Sequence, residues 1–382
     1  MFYATHLDID LGAIRHNLQG IRTRVGDRQV LAAVKADAYG HGAVPIARLM
    51  QAEGLADWLG VATVPEALEL RAAGISLPIL KFTPTFPEEL PAALAGGVSL
   101  TVVDAATVAQ AAAAAMASGT PAGVQLAVDT GMRRIGCPPQ QGVQLVRLID
   151  EQPALRLEGV FTHMPVSDTT DGAEYSRAEL ASFRQTIDDI QADRRHRGLA
   201  PVELVHAASS GGVLQHDLSG LTMVRPGLMI YGLYPDASTP RTVGLRPALA
   251  MRSRVSFIKR IAAGDTVSYG RTWTAPVDTW IATVPVGYAD GFSRLNSNRG
   301  RMLINGRSYP VVGRVCMDQT MLDLGPADPE VGVGDVVTVI GSDGEAAIGM
   351  DEVAAVMGTI SYEVSCLIPP RVTREYHDDR GE

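Results

Sequence analysis

Cysteine is scarce in this chain. Only three cysteines occur among 382 residues, at the scattered positions Cys137, Cys316 and Cys366. An odd, scattered set does not fit a disulfide framework, and the spacing is not that of a metal site. We therefore expect no bound metal and a reducing compartment, which we take to be the cytoplasm.

Basic charge and long apolar runs are also lacking. Lys and Arg number 33 against 42 for Asp and Glu, so the net charge is −9, which disfavours nucleic acid and anionic membrane surfaces as partners. The alanine-rich segment 105–117 is too short to span a bilayer. The first residues, which include Asp8 and Asp10, do not have the pattern of a signal peptide. The sequence predicts a cytoplasmic protein whose partner is a small molecule.

The composition and length are those of a globular protein of two domains. Hydrophobic residues make up 46% and charged residues 20% of the chain, a balance that allows large cores. The first part alternates apolar runs with helical patterns, starting with a helix from about Asp10 to Val25. Eight of these runs predict strands: Val30–Val34, Trp58–Ala62, Pro78–Phe82, Val98–Val102, Val124–Val128, Leu157–Thr162, Val202–Ala207 and Met223–Arg225. Eight strands alternating with helices predict a (β/α)8 barrel of the TIM type over residues 1–238.

The second part, residues 239–382, has the period-two alternation and turn signals of a mostly β domain. Strands are predicted at Arg254–Ile258, Thr279–Val286, Gly306–Val312 and Asp335–Ile340, with one helix at Met350–Met357. The linker composition of Tyr234–Pro240 places the boundary there. The extended pattern within residues 1–10 can pair with this second domain.

Polar residues end most of the predicted barrel strands. They are Lys35, Lys81, Asp129, His163, His206 and Arg225. Functional residues of such barrels lie at the carboxyl ends of the strands. Lys35 follows an apolar run, and burial of its amine would favour the neutral form that condenses with aldehydes such as pyridoxal phosphate. A single strand-end lysine is more often exposed to solvent, so the whole set of strand ends carries this hypothesis.

The chain resembles the alanine racemase family over nearly its whole length. The motifs that carry the resemblance run in order through both parts: Ala33-Val34-Lys35-Ala36-Asp37-Ala38-Tyr39-Gly40-His41-Gly42, Asp129-Thr130-Gly131-Met132, Phe161-Thr162-His163, Val224-Arg225-Pro226-Gly227, Val267-Ser268-Tyr269-Gly270-Arg271-Thr272, Val286-Gly287-Tyr288-Ala289-Asp290-Gly291, Cys316-Met317-Asp318 and Ser361-Tyr362-Glu363. Each motif alone is weak, whereas their common order is specific.

The resemblance implies a racemase that uses pyridoxal 5'-phosphate and supplies D-alanine for cell-wall peptidoglycan. It assigns Lys35 as the cofactor lysine, and Lys35 and Tyr269 as two bases on opposite faces of the substrate Cα. A phenol ordinarily titrates near pH 10, so His163 and Arg225 are expected to assist Tyr269 by hydrogen bonding and positive charge. His163 is also assigned among the cofactor contacts.

The resemblance assigns the remaining contacts residue by residue. Arg225 faces the pyridine nitrogen, and the phosphate contacts are Tyr39, Ser210, Gly227, Leu228 and Tyr362. Arg134 and the main-chain amide of Met317 bind the substrate carboxylate, Asp318 orients its neighbours, and Tyr288 gates entry. Tyr269 and Met317 reach the active site of the other subunit, which implies a homodimer with shared active sites.

Three departures from the family pattern leave the substrate open. Ala127 stands where many relatives have a lysine that is carbamylated and braces the arginine matched by Arg134. The segment Met164-Pro165-Val166-Ser167-Asp168 differs from the usual one, and Ser209 replaces an asparagine. These changes allow serine or a broader set of amino acids as substrates.

Other functions are also compatible with parts of the sequence. A non-catalytic pyridoxal-phosphate-binding protein would share the lysine but have no β domain. A two-domain decarboxylase of basic amino acids would share both domains, and a barrel enzyme without this cofactor would share only the fold. Release of CO₂ would identify the decarboxylase, whereas deuterium exchange at Cα with both enantiomers would identify the racemase.

Overall fold

The computed structural model describes residues 4–378, which form two compact units. The barrel unit comprises Ala13–Ala38 and Gly42–Arg246, and the C-terminal unit comprises residues 4–12, 39–41 and 247–378. The first strand, β1 (His6–Asp10), belongs to the C-terminal unit. Residues 1–3, part of the segment predicted to pair with the second domain, lie outside the described residues.

The barrel unit is built on one sheet of eight parallel strands. These are β2 (Gln29–Ala33), β3 (Trp58–Val61), β4 (Ile79–Lys81), β5 (Val98–Val102), β6 (Ala122–Ala127), β7 (Leu155–Phe161), β8 (Leu204–His206) and β9 (Met223–Val224). Their spatial order is β8-β7-β6-β5-β4-β3-β2-β9. Backbone bonds from Thr222 N to Val205 O (2.9 Å) and from Arg225 N to Ala208 O (2.8 Å) link the two ends of this order. The predicted (β/α)8 barrel is therefore confirmed.

The helices of this part lie before and between the barrel strands. They are α1 (Leu11–Val25), α2 (Lys35–Tyr39), α3 (Ala43–Glu53), α4 (Val64–Ala72), α5 (Leu90–Ala95), α6 (Ala105–Ser118), α7 (Gly142–Asp150), α8 (Ala173–His196) and α9 (Ser210–Gln215). Of these, α2 is a left-handed turn and not a regular α-helix. Asp104 caps α6, since its side chain accepts from Thr107 N at 2.8 Å, which satisfies an amide at the helix start. Short 3₁₀ turns lie at Pro139–Gln141 and Leu228–Tyr231.

Apolar side chains from six of the strands fill the barrel interior. The cluster consists of Leu31, Leu80, Ala127, Phe161, Leu204 and Met223, all at most 5% exposed. Side chains contributed by different strands pack in layers in such barrels. This apolar layer supports the polar residues at the carboxyl ends of the same strands.

The C-terminal unit is mostly β, as predicted. Its strands after β1 are β10 (Leu249–Arg254), β11 (Phe257–Ile261), β12 (Thr266–Val267), β13 (Trp273–Thr274), β14 (Thr279–Val284), β15 (Arg301–Ile304), β16 (Arg307–Pro310), β17 (Thr320–Gly325), β18 (Val336–Asp343), β19 (Ala346–Ile348) and β20 (Thr373–His377). Its helices are α10 (Met350–Met357) and α11 (Ser361–Cys366), with 3₁₀ turns at Tyr269–Arg271, Tyr288–Asp290 and Arg294–Asn296.

Two sheets and a hairpin organise these strands. The larger sheet has the order β16-β15-β18-β10-β1-β20, with β19 paired to β18, and the smaller has the order β11-β14-β17. Strands β12 and β13 form the hairpin. The predicted strand Arg254–Ile258 was wrong, because the chain leaves the larger sheet after Arg254 and joins the smaller one at Phe257.

The two units divide between Arg246 and Pro247. Residues 239–246 are held to the barrel unit by side-chain bonds from Thr239 Oγ1 to Asp168 O (2.6 Å) and from Thr242 Oγ1 to Leu214 O (2.7 Å). The boundary predicted after residue 238 falls before this segment. None of the helices within residues 4–378 combines the length and apolar character needed to cross a membrane.

Candidate active site

Lys35 lies in a left-handed turn directly after β2. The strand ends at Ala33, one residue before its predicted end at Val34, and Lys35 follows it as expected. The backbone of residues 36–39 has φ of 51–55°, which costs about 1–2 kcal/mol per residue for side chains with a Cβ. Bonds from Ala36 N to Glu66 Oε1 and from Ala43 N to Asp37 Oδ1, both 2.7 Å, hold this turn. Lys35 is half-buried, with Nζ 6.0 Å from the ring centroid of Phe82.

Arg225 is the most heavily bonded of the predicted site residues. Its guanidinium is buried and donates from Nη2 to Thr162 O (2.7 Å) and Ala207 O (3.2 Å), and from Nη1 to His206 Nδ1 (2.9 Å). Burial lowers the pKa of Arg225 to about 9, and the charge of Arg134 adds to this effect. Arg225 therefore remains protonated at neutral pH.

His206 continues this network into the barrel. Because Arg225 can only donate, His206 Nδ1 accepts, and the proton of the neutral ring lies on Nε2. His206 Nε2 then donates to Gln125 Oε1 at 2.7 Å. Burial, followed by the charge of Arg225, lowers the pKa of His206 well below its ordinary value. These two consecutive hydrogen bonds, from Arg225 to His206 and from His206 to Gln125, therefore fix the position of the Arg225 guanidinium.

Replacement of Arg225 by lysine should expose how much this network contributes to stability. One ammonium group cannot reach acceptors on His206, Thr162 and Ala207 together, so buried acceptors would be left unpaired. We expect the free energy of unfolding of Arg225→Lys to fall by about 2–4 kcal/mol. Urea unfolding followed by circular dichroism measures this, with Arg195→Lys on the exposed face of α8 as the control. Equal stability of the two variants would contradict the prediction.

Positive charge converges on the barrel mouth around His163. Burial, followed by the charges of Arg225, Arg134 and Lys35 in that order, lowers the pKa of His163 to about 3. His163 is therefore neutral at physiological pH, with Nδ1 3.4 Å from Arg225 Nη2. The charge of Arg134 lowers the pKa of both His163 and Arg225, so Arg134 lies near both groups. An uncharged ring among three cations makes this a site for an anionic ligand.

The predicted phosphate contacts of the barrel unit meet around Ser210. Its Oγ accepts from Gly227 N at 3.0 Å and from Met229 N at 3.3 Å. Since both bonds use the oxygen as acceptor, the hydroxyl hydrogen can be donated to an anion. Leu228 lies between the two donors and is 1% exposed. Gly211 follows Ser210 and allows close packing, because a Cβ there would lie 2.6 Å from Ser167 O.

Arg134 extends from a loop whose base is closed by backbone pairing. Cys137 N donates to Ala127 O (3.0 Å), and Asp129 N donates to Cys137 O (2.8 Å). Within the loop, Asp129 Oδ1 accepts from the amides of Gly131 and Arg133, each at 3.0 Å. Asp129, which ends a predicted strand, therefore shapes the loop from inside. We call residues 129–134 the arginine loop.

The departures from the family pattern occupy two places in the barrel unit. Ala127 is 2% exposed and belongs to the apolar interior cluster. Ser167 and Ser209, which come from the two other departures, have their Oγ atoms 3.3 Å apart. Ser167 and Ser209, which belong to two different departures from the family pattern, are therefore hydrogen-bonding partners.

Tyr39 and Tyr362 come together in the C-terminal unit. Their ring centroids are 6.1 Å apart and their planes are inclined by 50°. Tyr39 is buried, and burial together with the charge of Cys366 raises the pKa of its phenol above its usual range. The Tyr39 hydroxyl therefore stays protonated and can donate a hydrogen bond.

Tyr288, Met317 and Asp318 lie on two loops of the C-terminal unit that are bonded to each other. Tyr288 N donates to Cys316 O (3.1 Å), and Ala289 N donates to Met317 O (3.0 Å). Arg371, which the sequence did not indicate, extends this cluster: its Nη2 donates to Asp318 Oδ1 at 2.7 Å. Asp318 is thus held in place by an arginine.

Tyr269 occupies a 3₁₀ turn of the same unit and is 71% exposed. Ser268 precedes it with φ 66° and donates from Oγ to Arg314 O at 2.6 Å. Ser268 Oγ also lies 3.4 Å from Cys316 Sγ, which connects the turn of Tyr269 with the loop of Met317. The turn therefore presents the phenol outward from a fixed base.

The chain was then compared with known proteins. Residues 9–235 match the N-terminal domain of alanine racemase, and residues 248–376 match its C-terminal domain. A protein of Cutibacterium acnes named alanine racemase is 50% identical over 370 residues, covering 97% of both chains. The solved structure of an alanine racemase from Clostridium difficile is 34% identical, with a TM-score of 0.91 over 99% of this chain and 97% of that one.

A second structure of the Clostridium difficile protein, in complex with cycloserine, matches with a TM-score of 0.90 at 33% identity, over 99% of this chain and 97% of that one. Both matched domains together span most of the chain, in the order predicted from its motifs. The chain therefore belongs to the alanine racemase family.

Proposed function

We propose that this chain interconverts L- and D-alanine with pyridoxal 5'-phosphate, the cofactor of its family, and supplies D-alanine for peptidoglycan in the cytoplasm. The observation that carries this proposal is the set of Lys35, His163 and Arg225 at the mouth of a barrel with the family's motifs. His163 is neutral, and the three cations around it, Lys35, Arg134 and Arg225, complement a ligand that carries a phosphate and a carboxylate.

The residues present fit the cofactor. Lys35 offers the amine that bonds its aldehyde, and Arg225 offers a fixed, charged donor for the ring nitrogen. Ser210, Gly227 and Leu228 offer a hydroxyl and amides for the phosphate, and Tyr39 and Tyr362 offer phenols. When bound, the cofactor supplies an electron-withdrawing ring that makes the Cα proton of the amino acid removable.

The chain's own side chains move that proton. We assign Lys35 as the base on one face of Cα and Tyr269 as the acid on the other, with the roles exchanged for the opposite enantiomer. Because His163 is neutral, Arg225 and Arg134 provide positive charge at this site. Arg134 and the amide of Met317 are assigned to the substrate carboxylate. Asp318 and Tyr288 support and gate this site.

Arg225 also restricts the reaction. An arginine that keeps its own proton would leave the pyridine nitrogen of a bound cofactor unprotonated, which would weaken the electron withdrawal that the cofactor supplies. Under that condition, return of the proton to Cα by Lys35 or Tyr269 would be favoured over transamination. This property suits a racemase better than a decarboxylase or a transaminase.

The active site is proposed to be shared between the two subunits of a homodimer. Tyr269 and Met317 are the residues assigned to the partner's site, and they are 71% and 53% exposed in the single chain. Their exposure leaves both side chains available to contact a partner chain. Each dimer would then contain two sites, each built from both chains.

Mixing two inactive variants tests the shared site. Lys35→Ala and Tyr269→Phe damage different halves, so a heterodimer has one intact site and one site with both defects. Random re-association should restore about a quarter of the wild-type activity. Activity is measured after unfolding and refolding the mixture, with each variant refolded alone as the control. No recovery in a mixture shown to contain heterodimers would contradict shared sites.

The substrate is the second open question, because serine or a broader range is compatible with Ala127, Ser167 and Ser209. Both enantiomers of alanine and serine should be incubated with the purified protein in D₂O, with chiral analysis of the products. Racemisation and Cα deuteration of alanine in both directions supports the proposal. Faster turnover of serine would support the broader enzyme, and release of CO₂ would identify a decarboxylase.

A further inference from the structure

A buried carboxyl that the proposed mechanism does not use lies against the arginine loop. Glu179 on α8 is 3% exposed, and neither of its carboxyl oxygens has a hydrogen-bond partner among residues 4–378. An ionised carboxylate in such a place loses its hydration without compensation. The neutral form of Glu179 is therefore the one that suits this environment.

Glu179 contacts the loop at Gly131. A Cβ on Gly131 would lie 2.1 Å from Glu179 Oε1 and 2.7 Å from Tyr175 Oη. Tyr175 and Glu179 are four residues apart on α8, so they face the same side of the helix. The absence of a side chain at Gly131 is what allows the carboxyl and the phenol to pack on the loop backbone.

The loop faces this carboxyl with one acidic and one basic group. Asp129 raises the pKa of Glu179 and Arg133 lowers it, but burial is the largest effect, and together they bring the pKa to about 7. Asp129 accepts two loop amides, which fix its carboxylate within the loop. Tyr175 is the titratable group that faces Glu179 from its own helix. Ionisation of Glu179 would place a second negative charge beside Asp129.

We propose that Glu179 is a positioning residue for substrate binding, whose protonated carboxyl packs on Gly131 and holds the arginine loop so that Arg134 stays at the barrel mouth. The inference rests on the proposed function, because it takes Arg134 as the contact of the substrate carboxylate. Glu179 would then support the arginine loop in a chain whose Ala127 cannot carry the carbamate that braces the matching arginine in many relatives.

The proposal has a defined dependence on pH. Below about pH 7 Glu179 is protonated and the loop is held. Above that pH the carboxylates of Glu179 and Asp129 repel each other, the loop loosens, and the KM for alanine rises. Glu179→Gln keeps the shape of the side chain but cannot ionise, so the arginine loop should keep its position at high pH in this variant. Glu179→Ala removes the packing and should raise KM at every pH.

The experiment measures KM and kcat for L-alanine from pH 6 to pH 9 in wild type, Glu179→Gln, Glu179→Ala and the control Glu174→Gln, which changes an exposed residue of the same helix. At each pH, the wild-type KM is divided by the KM of Glu179→Gln. This ratio removes the effect of every other group that titrates equally in the two proteins. We expect this ratio to rise about fivefold or more across pH 7, with little change in the ratio of kcat. A flat ratio would overturn the proposal.

Hydrogen exchange of residues 129–136 without substrate provides a second readout, independent of racemisation. After correction for intrinsic rates, exchange in wild type should accelerate across pH 7, whereas exchange in Glu179→Gln should not. Identical behaviour of the two proteins would overturn the role of Glu179. A wild type that does not racemise alanine would refute the proposed function instead, and hydrogen exchange would still test whether Glu179 holds the loop.

Discussion

Lys35→Ala is expected to lower the rate of alanine racemisation by about 10³-fold or more and to remove the visible absorption band of lysine-bound pyridoxal phosphate. The loss has two causes, because the proposal gives Lys35 both the covalent attachment of the cofactor and one of the two proton transfers. Racemisation by chiral chromatography and the absorption spectrum of the reconstituted protein measure the two effects separately.

The small number of lysines sharpens this test. The chain contains three, Lys35, Lys81 and Lys259, and burial lowers the pKa of Lys81, which makes Lys81 the chemical rival. Its Nζ, however, already donates to Pro84 O (2.8 Å), Thr83 Oγ1 (3.0 Å) and Thr83 O (3.2 Å). Bonds of this kind hold an ammonium in its charged, unreactive form.

Borohydride reduction of the cofactor-loaded protein, followed by peptide mass spectrometry, distinguishes the two lysines. We expect the pyridoxyl label on the peptide that contains Lys35. Lys259→Ala, a change at an exposed strand residue, should retain the label, the absorption band and the activity. A label on Lys81, or an active Lys35→Ala variant, would refute the assignment.

The barrel was predictable because buried parallel strands are nearly continuous apolar runs. Val98–Val102 is buried at every position, and its predicted and observed bounds agree. The turn after β2 was not predictable, because left-handed backbone at Ala36, Asp37 and Ala38 lacks the glycines that usually mark it. Bonds from Ala43 N to Asp37 Oδ1 and from Ala36 N to Glu66 Oε1 stabilise this turn, and Glu66 is 30 residues away from its partner in the sequence.

The candidate site residues at the strand ends could be proposed from the sequence. The residues that support them from deeper in the barrel could not. Arg225 stood out as a charge next to Met223 and Val224, whereas its support by His206 and Gln125 depends on how β6, β8 and β9 are arranged in the barrel. The available signal for Gln125 was an amide inside an otherwise apolar strand. Glu179 gave no signal, because a glutamate in a charged helix is ordinarily exposed to solvent.

The role of Tyr269 rests on the family resemblance and could not be derived from local pattern. Its neighbours Ser268 and Gly270, with φ of 66° and 71°, describe a tight turn, and tyrosines in turns are common. The structure adds that the phenol is exposed while the turn is bonded to Arg314. A rigid turn that presents one polar group is what a proton-transfer residue requires.

Tyr269→Phe is therefore expected to lower racemisation in both directions by about 10²- to 10⁴-fold, the usual contribution of a general acid or base. The substitution removes one oxygen and keeps the ring, so cofactor binding and folding should be unchanged. Tyr309→Phe, a change on β16 of the same unit, is the matched control and should behave as wild type.

Deuterium exchange separates the two-base mechanism from a mechanism with one base. With Tyr269 replaced, Lys35 can still remove and return the Cα proton on its own face, so one enantiomer of alanine should exchange Cα hydrogen with D₂O while keeping its configuration. The other enantiomer should exchange at least tenfold more slowly, an order-of-magnitude expectation from the same principle. If both enantiomers exchange equally in Tyr269→Phe, a single base serves both faces and the assignment of Tyr269 is wrong. If neither exchanges, Tyr269 is needed for the action of Lys35 itself, and the two groups do not act as independent bases.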